Sequence, residues 1–255
     1  MKKFYIHKRF SHTFSSIISL AVLFQLIFLL TAFLAFPQEN LIEPTWVYYG
    51  RGNRFLHDKK PGYALAEYKK ALKKANDISN KTGKKDKYFP DICFKIAQVY
   101  FDEGLYEASL FYIDIAEKNS ELFQIPDRIF SVYYLAANDY FSLGKMDKVV
   151  EIYKKVINKD NNWNYFKSLR SDQMPDFMYS KEKRTKFGPA YYNLGKIKYD
   201  NDNFDNAIVY LRMSFLYGYN VKLTSNLLKN CYKNIGMDFM IKKIDKMVEG
   251  WSVNS

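Results

Sequence analysis

Four stretches of this chain align with one another without a gap, and that recurrence limits its possible folds more than any other feature. They are YYGRGNRFLHDKKPGYALAEYKKAL (48–72), CFKIAQVYFDEGLYEASLFYIDIAE (93–117), YYLAANDYFSLGKMDKVVEIYKKVI (133–157) and YYNLGKIKYDNDNFDNAIVYLRMSF (191–215). Each has a small residue at its fifth place: Gly52, Ala97, Ala137 and Gly195. A second small or short residue follows twelve positions on (Ala64, Ser109, Val149, Ala207), then a large one four later (Tyr68, Ile113, Tyr153, Leu211). Ala71, Ala116, Val156 and Ser214 stand three beyond that. A fixed period marks a structural unit that buries its apolar face against copies of itself. The spacing predicts two helices of about three turns joined by a tight turn. The small residues let the two backbones approach, and the large ones are expected to fill the space between one hairpin and the next. Gly104 and Gly144 fall in the turn, where a left-handed residue ends the first helix. Asp202-Asn203 takes their place in the fourth copy, since Asn tolerates that conformation; the first copy has Lys59 there.

Composition narrows the chemistry. With 22 Tyr and 21 Phe in 255 residues, the bulk of the chain has the apolar surface a folded core requires. Two cysteines and three histidines exclude a disulfide framework, a four-cysteine metal site and most histidine-dependent catalysis. Nucleophile elbows, phosphate loops, paired-histidine metal motifs and glycine fingerprints do not occur. No cofactor, metal or enzymatic activity is expected. Cys93 and Cys231 read as small core residues, His57 as a surface or groove residue, and Asp102, Glu103 and Asp200 as surface carboxylates.

The amino end carries a membrane signal. Ile17 to Phe36 is a run of 20 uncharged residues, in which only Ser19, Gln25 and Thr31 are polar. As a helix it would span about 30 Å of hydrocarbon. Lys2, Lys3, Lys8 and Arg9 precede it, and the first basic residue after it is Arg51. The positive-inside bias then places residues 1–16 in the cytoplasm and everything after Phe36 across the membrane. An uncleaved single-pass anchor and a cleaved signal that releases the chain to the periplasm both remain open, because no clean A-x-A site follows the run. Residues 37–44 read as a linker.

The repeated segments resemble the tetratricopeptide repeat, a 34-residue helical hairpin. The likeness is carried by Tyr133, Tyr140, Gly144 and Tyr153, by Ala97, Tyr100, Gly104, Tyr106 and Ala116, and by Tyr192-Asn193-Leu194-Gly195 with Phe204 and Ala207. It implies an all-α, right-handed superhelical array, with repeats at about 45–78, 90–123, 130–163 and 188–221. The closing proline of that repeat is absent from all four copies; Pro90, Pro126 and Pro189 lie instead at or just before the next hairpin. An aromatic-rich insertion at about 159–186 separates the third and fourth copies, to be read as a short packed helix or as a partner-contacting loop. Residues 222–255 read as capping helices with a polar outer face.

The resemblance also implies a groove lined by the first helix of each hairpin. Three before each small residue stand Tyr49, Phe94, Tyr134 and Tyr192; one after it, Asn53, Gln98, Asn138 and Lys196; four after it, Leu56, Phe101, Phe141 and Tyr199. An aromatic stripe beside amides suits an extended peptide or a partner helix. The carboxylate clamp of some members of that family does not carry over, because Tyr49 and Tyr134 occupy the lysine place. The reading is a membrane-anchored, extracytoplasmic scaffold that binds another protein. The alternative is a basic module that binds anionic envelope polymers or lipid surfaces through Lys69, Lys70, Lys73, Lys74, Lys154 and Lys155. Nucleic acid is not an expected partner.

Overall fold

The computed structural model describes residues 43–175 and 181–252. The apolar run Ile17–Phe36, with the basic segment before it, lies outside the described residues. Among those described, no helix is long and apolar enough to cross a membrane, and the secondary structure is entirely helical.

Each of the four aligned segments folds as a helix, a short turn and a second helix. The pairs are α1 (Thr45–His57) with α2 (Pro61–Thr82), α3 (Phe89–Asp102) with α4 (Tyr106–Lys118), α5 (Arg128–Ser142) with α6 (Met146–Ile157), and α9 (Gly188–Asp200) with α10 (Phe204–Leu216). Two short helices, α7 (Trp163–Ser168) and α8 (Lys181–Lys186), lie in the insertion, and α11 (Val221–Asn234) and α12 (Asp238–Ser252) follow the last pair. The pattern of α6 shows why these segments are helical. Val149, Ile152, Tyr153, Val156 and Ile157 recur at intervals of three and one and are all buried, which places them on one face at 3.6 residues per turn. Pro61, Pro90 and Pro189 open α2, α3 and α9, where a missing amide hydrogen costs nothing.

One turn geometry recurs at six junctions among the described residues. The amides of Gly104 and Leu105 donate to the carbonyls of Phe101 and Tyr100, and the same pair of bonds recurs at Lys59-Lys60, Gly144-Lys145, Asp202-Asn203, Gly218-Tyr219 and Gly236-Met237. The left-handed residue satisfies carbonyls that the helix end would leave bare. In the fourth copy this residue is Asp202, at φ 55°, and not Asn203. Asn203 begins α10 instead, its side chain accepting the Asn206 amide at 3.4 Å. Lys59 adopts φ 57° in the first copy, without the freedom of glycine.

The small residues are buried against their own hairpin partner. A Cβ on Gly52 would sit 2.4 Å from Tyr68 Cε1, and one on Gly195 would sit 2.6 Å from Leu211 Cγ. Tyr68 and Leu211 therefore press onto the small residue of the same hairpin. This corrects the expectation that they fill the gap to the next hairpin: the missing side chain leaves a hollow inside the pair, and the ring or isobutyl group fills it. The Tyr68 hydroxyl confirms the direction by donating to Asn53 Oδ1 at 2.7 Å. Residues from Thr45 onward form one compact unit. Its core has two parts, one built from Ala64, Tyr68, Ala71, Ala75, Ile92, Ile96 and Val99 and a larger one running from Cys93 to Ile244. Each fully buried Leu, Ile or Phe contributes about 1.5–3 kcal/mol relative to exposure.

Candidate functional site

The residues expected to line a groove sort into two sets. Those three before each small residue turn inward. Phe94 is buried, at 3% exposure. Tyr49 is half-buried between the rings of Tyr68 and Tyr88, 6.0 and 5.8 Å away. The Tyr134 hydroxyl donates to the Lys186 carbonyl at 2.8 Å, and Tyr192 lies 5.9 Å from the Tyr219 ring. These positions are structural joints rather than an open stripe. Burial pushes the Tyr49 and Tyr134 hydroxyls above their ordinary range, with Asp91 adding to the effect on Tyr49.

The remaining positions are more open. Asn138 and Phe141 are exposed on α5, one turn apart, and Phe141 leaves 65% of its surface free. Gln98 and Phe101 hold the same register on α3 and are half-buried, with the Phe101 ring 5.8 Å from Tyr106. Lys196 is exposed and paired with Asp200 at 2.6 Å, and Tyr199 is half-buried against Phe204. Asn53 is already engaged by Tyr68.

Charge enters this face at the ends of the first helices. Arg128 at the start of α5 pairs with the buried Asp91 on α3 at 3.1 Å. Burial holds the Asp91 carboxyl above its usual range, with Arg128 opposing that, and burial together with Arg128 lowers the Lys95 ammonium. Asp139 is fully buried on α5, where it accepts the Ser109 hydroxyl of α4 at 2.8 Å. Its second oxygen has no partner, and burial pushes its carboxyl up to about 6. A cavity of about 210 Å³ lies over Asp127, Phe130, Ser131, Tyr134, Thr185 and Lys186, where Lys186 pairs with Asp127 at 2.6 Å.

The described part of the insertion is packed against the later helices. Trp163 stacks on Tyr210 at 5.4 Å with 13° between planes, and Phe166 is fully buried. Tyr191 and Tyr217 both donate their hydroxyls to Asp160 Oδ2. The central device is Arg212, the largest fully buried side chain among the described residues. Its guanidinium donates to the carbonyls of Arg170 and Gln173, each at 2.7 Å, and to those of Phe166 at 3.1 Å and Leu169 at 3.2 Å. Tyr232 Oη and Lys243 Nζ add bonds to the carbonyls of Ser171 and Met174, both at 2.8 Å. Sequence reasoning missed Arg212. The available signal was a single charge inside the apolar run AIVYLRMSFLYG, close in the chain to an insertion.

Cys93 and Cys231 are free thiols in the core, both pushed up to about 12 by burial. The His57 side chain is exposed beside Asp58. No cluster of His, Cys, Asp or Glu able to hold a metal occurs among the described residues. On the capping pair, Lys242 and Lys246 face outward, but so do Leu223 and Phe239, at 54% and 62% exposure. The outer face is thus not uniformly polar.

Residues 188–213, which make up α9 and most of α10, match the tetratricopeptide repeat family. No curated protein matches the chain. Among solved structures, the chain is similar to BtubC (BKLC) from P. vanneervenii, at 17% identity and TM-score 0.50, over 80% of this chain and 78% of that one. It also matches MamA at 17% identity and TM-score 0.47 (80% and 88% covered). A putative kinesin light chain of nearly identical TPR-like repeats from Podosopora anserina matches at 12% identity and TM-score 0.48 (83% and 97% covered). The fold is a helical-repeat array of the TPR-like kind.

Proposed function

We propose that this chain is a non-enzymatic scaffold that binds another protein through the first helices of its hairpins, with α3 and α5 at the centre of the site. The observation that carries the reading is the repeated amide–aromatic pair, Gln98 with Phe101 and Asn138 with Phe141. In the α5 copy both side chains stand open to solvent. An aromatic ring supplies contact area at low entropic cost, and the amide beside it can pair with the backbone of an extended peptide. Helical-repeat arrays of this kind commonly serve as protein-binding modules. Tyr49, Phe94, Tyr134 and Tyr192 set the spacing of the hairpins and do not belong to the contact surface. Tyr199 and Lys196 extend that surface toward α9.

The proposal includes attachment to the membrane. Residues 17–36 hold the chain as a single-pass anchor with residues 1–16 in the cytoplasm, and the array works on the far side as one body of four repeats, an insertion and a cap. Binding of the full chain to an array of extended peptides, compared with the Asn138→Ala/Phe141→Ala variant, tests the site. The variant is expected to lose about tenfold or more in affinity for the peptides the parent selects. Equal binding by parent and variant would remove α5 from the site.

A further inference from the structure

The chain's positive charge is gathered in one place. Residues 59–87 contain ten lysines against Glu67, Asp77 and Asp86, a net charge of +7 out of +12 for the chain. Residues 1–36 carry +4, so everything else together is close to neutral. This segment is the tight turn at Lys59-Lys60, the second helix of the first hairpin and the loop after it; the part from Lys73 to Lys87 carries six lysines against Asp77 and Asp86, a net charge of +4. At 22 residues, α2 is far longer than α4, α6 or α10, which have 13, 12 and 13. Its last buried residue is Ala75. The seven residues from Asn76 to Thr82 continue beyond the core for about 10 Å at 1.5 Å per residue. They end in a formed cap, in which the left-handed Gly83 donates to the Ser79 carbonyl.

The direction of this overhang is fixed by the hairpin. Helix α1 runs antiparallel to α2, so the free end of α2 projects on the side where α1 begins. Thr45 Oγ1 donates to Asp86 Oδ2 at 2.7 Å, tying the first residue of α1 to the loop after α2. The basic end therefore lies beside Thr45, the first residue of α1. Only some of the lysines there are engaged internally. Glu67 is held by Arg51 and Lys70, Lys69 and Lys87 lie over the rings of Tyr100 and Tyr88, and Lys85 donates to Asn119. Lys73, Lys74, Lys81 and Lys84 make no ion pair among the described residues. On the helix, Lys69, Lys70, Lys73, Lys74 and Lys81 fall within an arc of about 140° at 100° per residue, opposite the buried Ala64, Ala71 and Ala75.

We propose that the overhanging end of α2 and its following loop, Lys73 to Lys87, dock on the surface of an anionic phospholipid bilayer. The proposal rests on the reading of residues 17–36 as membrane-inserted, which is what selects a bilayer over other polyanions. Only eight residues separate Phe36 from Thr45, and at no more than about 3.6 Å each they span less than about 30 Å. A basic surface at the point of entry is thereby held close to lipid headgroups, within reach of attraction that decays over about 8 Å at physiological salt. Docking would turn the array from a tethered body into one with a fixed orientation.

The test uses the full chain with an environment-sensitive fluorophore on Asn80→Cys, since Cys93 and Cys231 are buried. Vesicles are zwitterionic phosphatidylcholine, with or without about a third phosphatidylglycerol. Flotation with the zwitterionic vesicles at high salt reads insertion alone. The label reads docking: it is expected to shift only with the anionic vesicles, and to lose the shift in 0.5 M salt or when Lys73, Lys74, Lys81 and Lys84 are all changed to Gln. A label on Asn201 of the last hairpin is expected to stay silent. The Gln variant should weaken the shift at least tenfold in the lipid concentration required. A chain that floats but shows no shift with anionic vesicles overturns docking and leaves the anchor reading standing. A chain that does not float at high salt overturns the anchor; docking then stands or falls on low-salt flotation with anionic vesicles. A shift of equal size with soluble polyphosphate and no vesicles would overturn the lipid assignment.

Discussion

Replacing Arg212 with Met separates a packed insertion from a mobile one. Met keeps an unbranched apolar stem of similar reach and removes only the guanidinium. Four hydrogen bonds to carbonyls of Phe166, Leu169, Arg170 and Gln173 are lost. Bonds to a charged donor contribute about 1.5–3 kcal/mol each, so four together set an upper limit of roughly 6–12 kcal/mol if the carbonyls stay buried and bare. The segment can instead peel away and hydrate them. That route exposes Phe166 and Met174, at 0% and 4% exposure, for about 1.5–3 kcal/mol each. Peeling is the easier route, which places the loss near 3–5 kcal/mol. Burial already lowers the affinity of Arg212 for its proton, so the site disfavours the charge and the lower end is favoured. A loss of 3 kcal/mol corresponds to a fall of about 6–12 °C in Tm for a domain of this size. Hydrogen exchange should rise across residues 163–174 and stay unchanged in α1 to α4, since repeats interact chiefly with their neighbours. Arg212→Lys should rescue little, because three donors on one point cannot reach four carbonyls arranged around a fork. A Met variant that melts with the parent and keeps its protection at 163–174 would show that the guanidinium does not hold the insertion.

Five other substitutions probe the hairpins. Gly52→Ala and Gly195→Ala each place a methyl into the ring of Tyr68 or the side chain of Leu211 and should cost about 1–3 kcal/mol in urea denaturation, whereas Gly50→Ala, with nothing within 4 Å, should cost nothing. Lys59→Gly relieves a left-handed lysine at φ 57° and should raise stability by about 1 kcal/mol, seen as a higher urea midpoint at constant slope. For Asp139, burial raises the folded carboxyl to about 6, above its unfolded value of about 3.9. Its stabilising effect is thus fully present below pH about 4 and is lost as pH rises through about 6, by roughly 3 kcal/mol. Asp139→Asn should remove that fall and be the more stable form at pH 8, as read from melts of both proteins between pH 4 and 8.

The hairpins were legible because their signals are local. A helix period, a small residue and a left-handed turn at fixed spacing each act within one segment, and Gly104, Gly144 and Gly236 all take the positive φ that their places require. The orientation of the side chains was less legible. Phe94 and Tyr134 stand three residues before their small anchors, which is only about 60° around the helix. They share the buried side of α3 and α5 for that reason. Asn138, one residue after Ala137, lies about 100° away and escapes burial. Arg212 and Asp160 depend on partners 31 to 57 residues distant, and nothing in their local sequence records those partners. The charge was countable from the start, but not that Lys81, Lys84, Lys85 and Lys87 would lie past the last buried residue of α2, at the end where α1 begins.

The claim that the α5 face binds a protein is tested most directly by a photocrosslinking amino acid placed at Phe141 in the full chain in intact cells, with Lys154 on α6 as the matched control. The expected result is a discrete crosslinked species at position 141 that is absent at 154 and that disappears when Asn138→Ala is added. Equal crosslinking at both positions, or an adduct at 141 that survives Asn138→Ala unchanged, would contradict it.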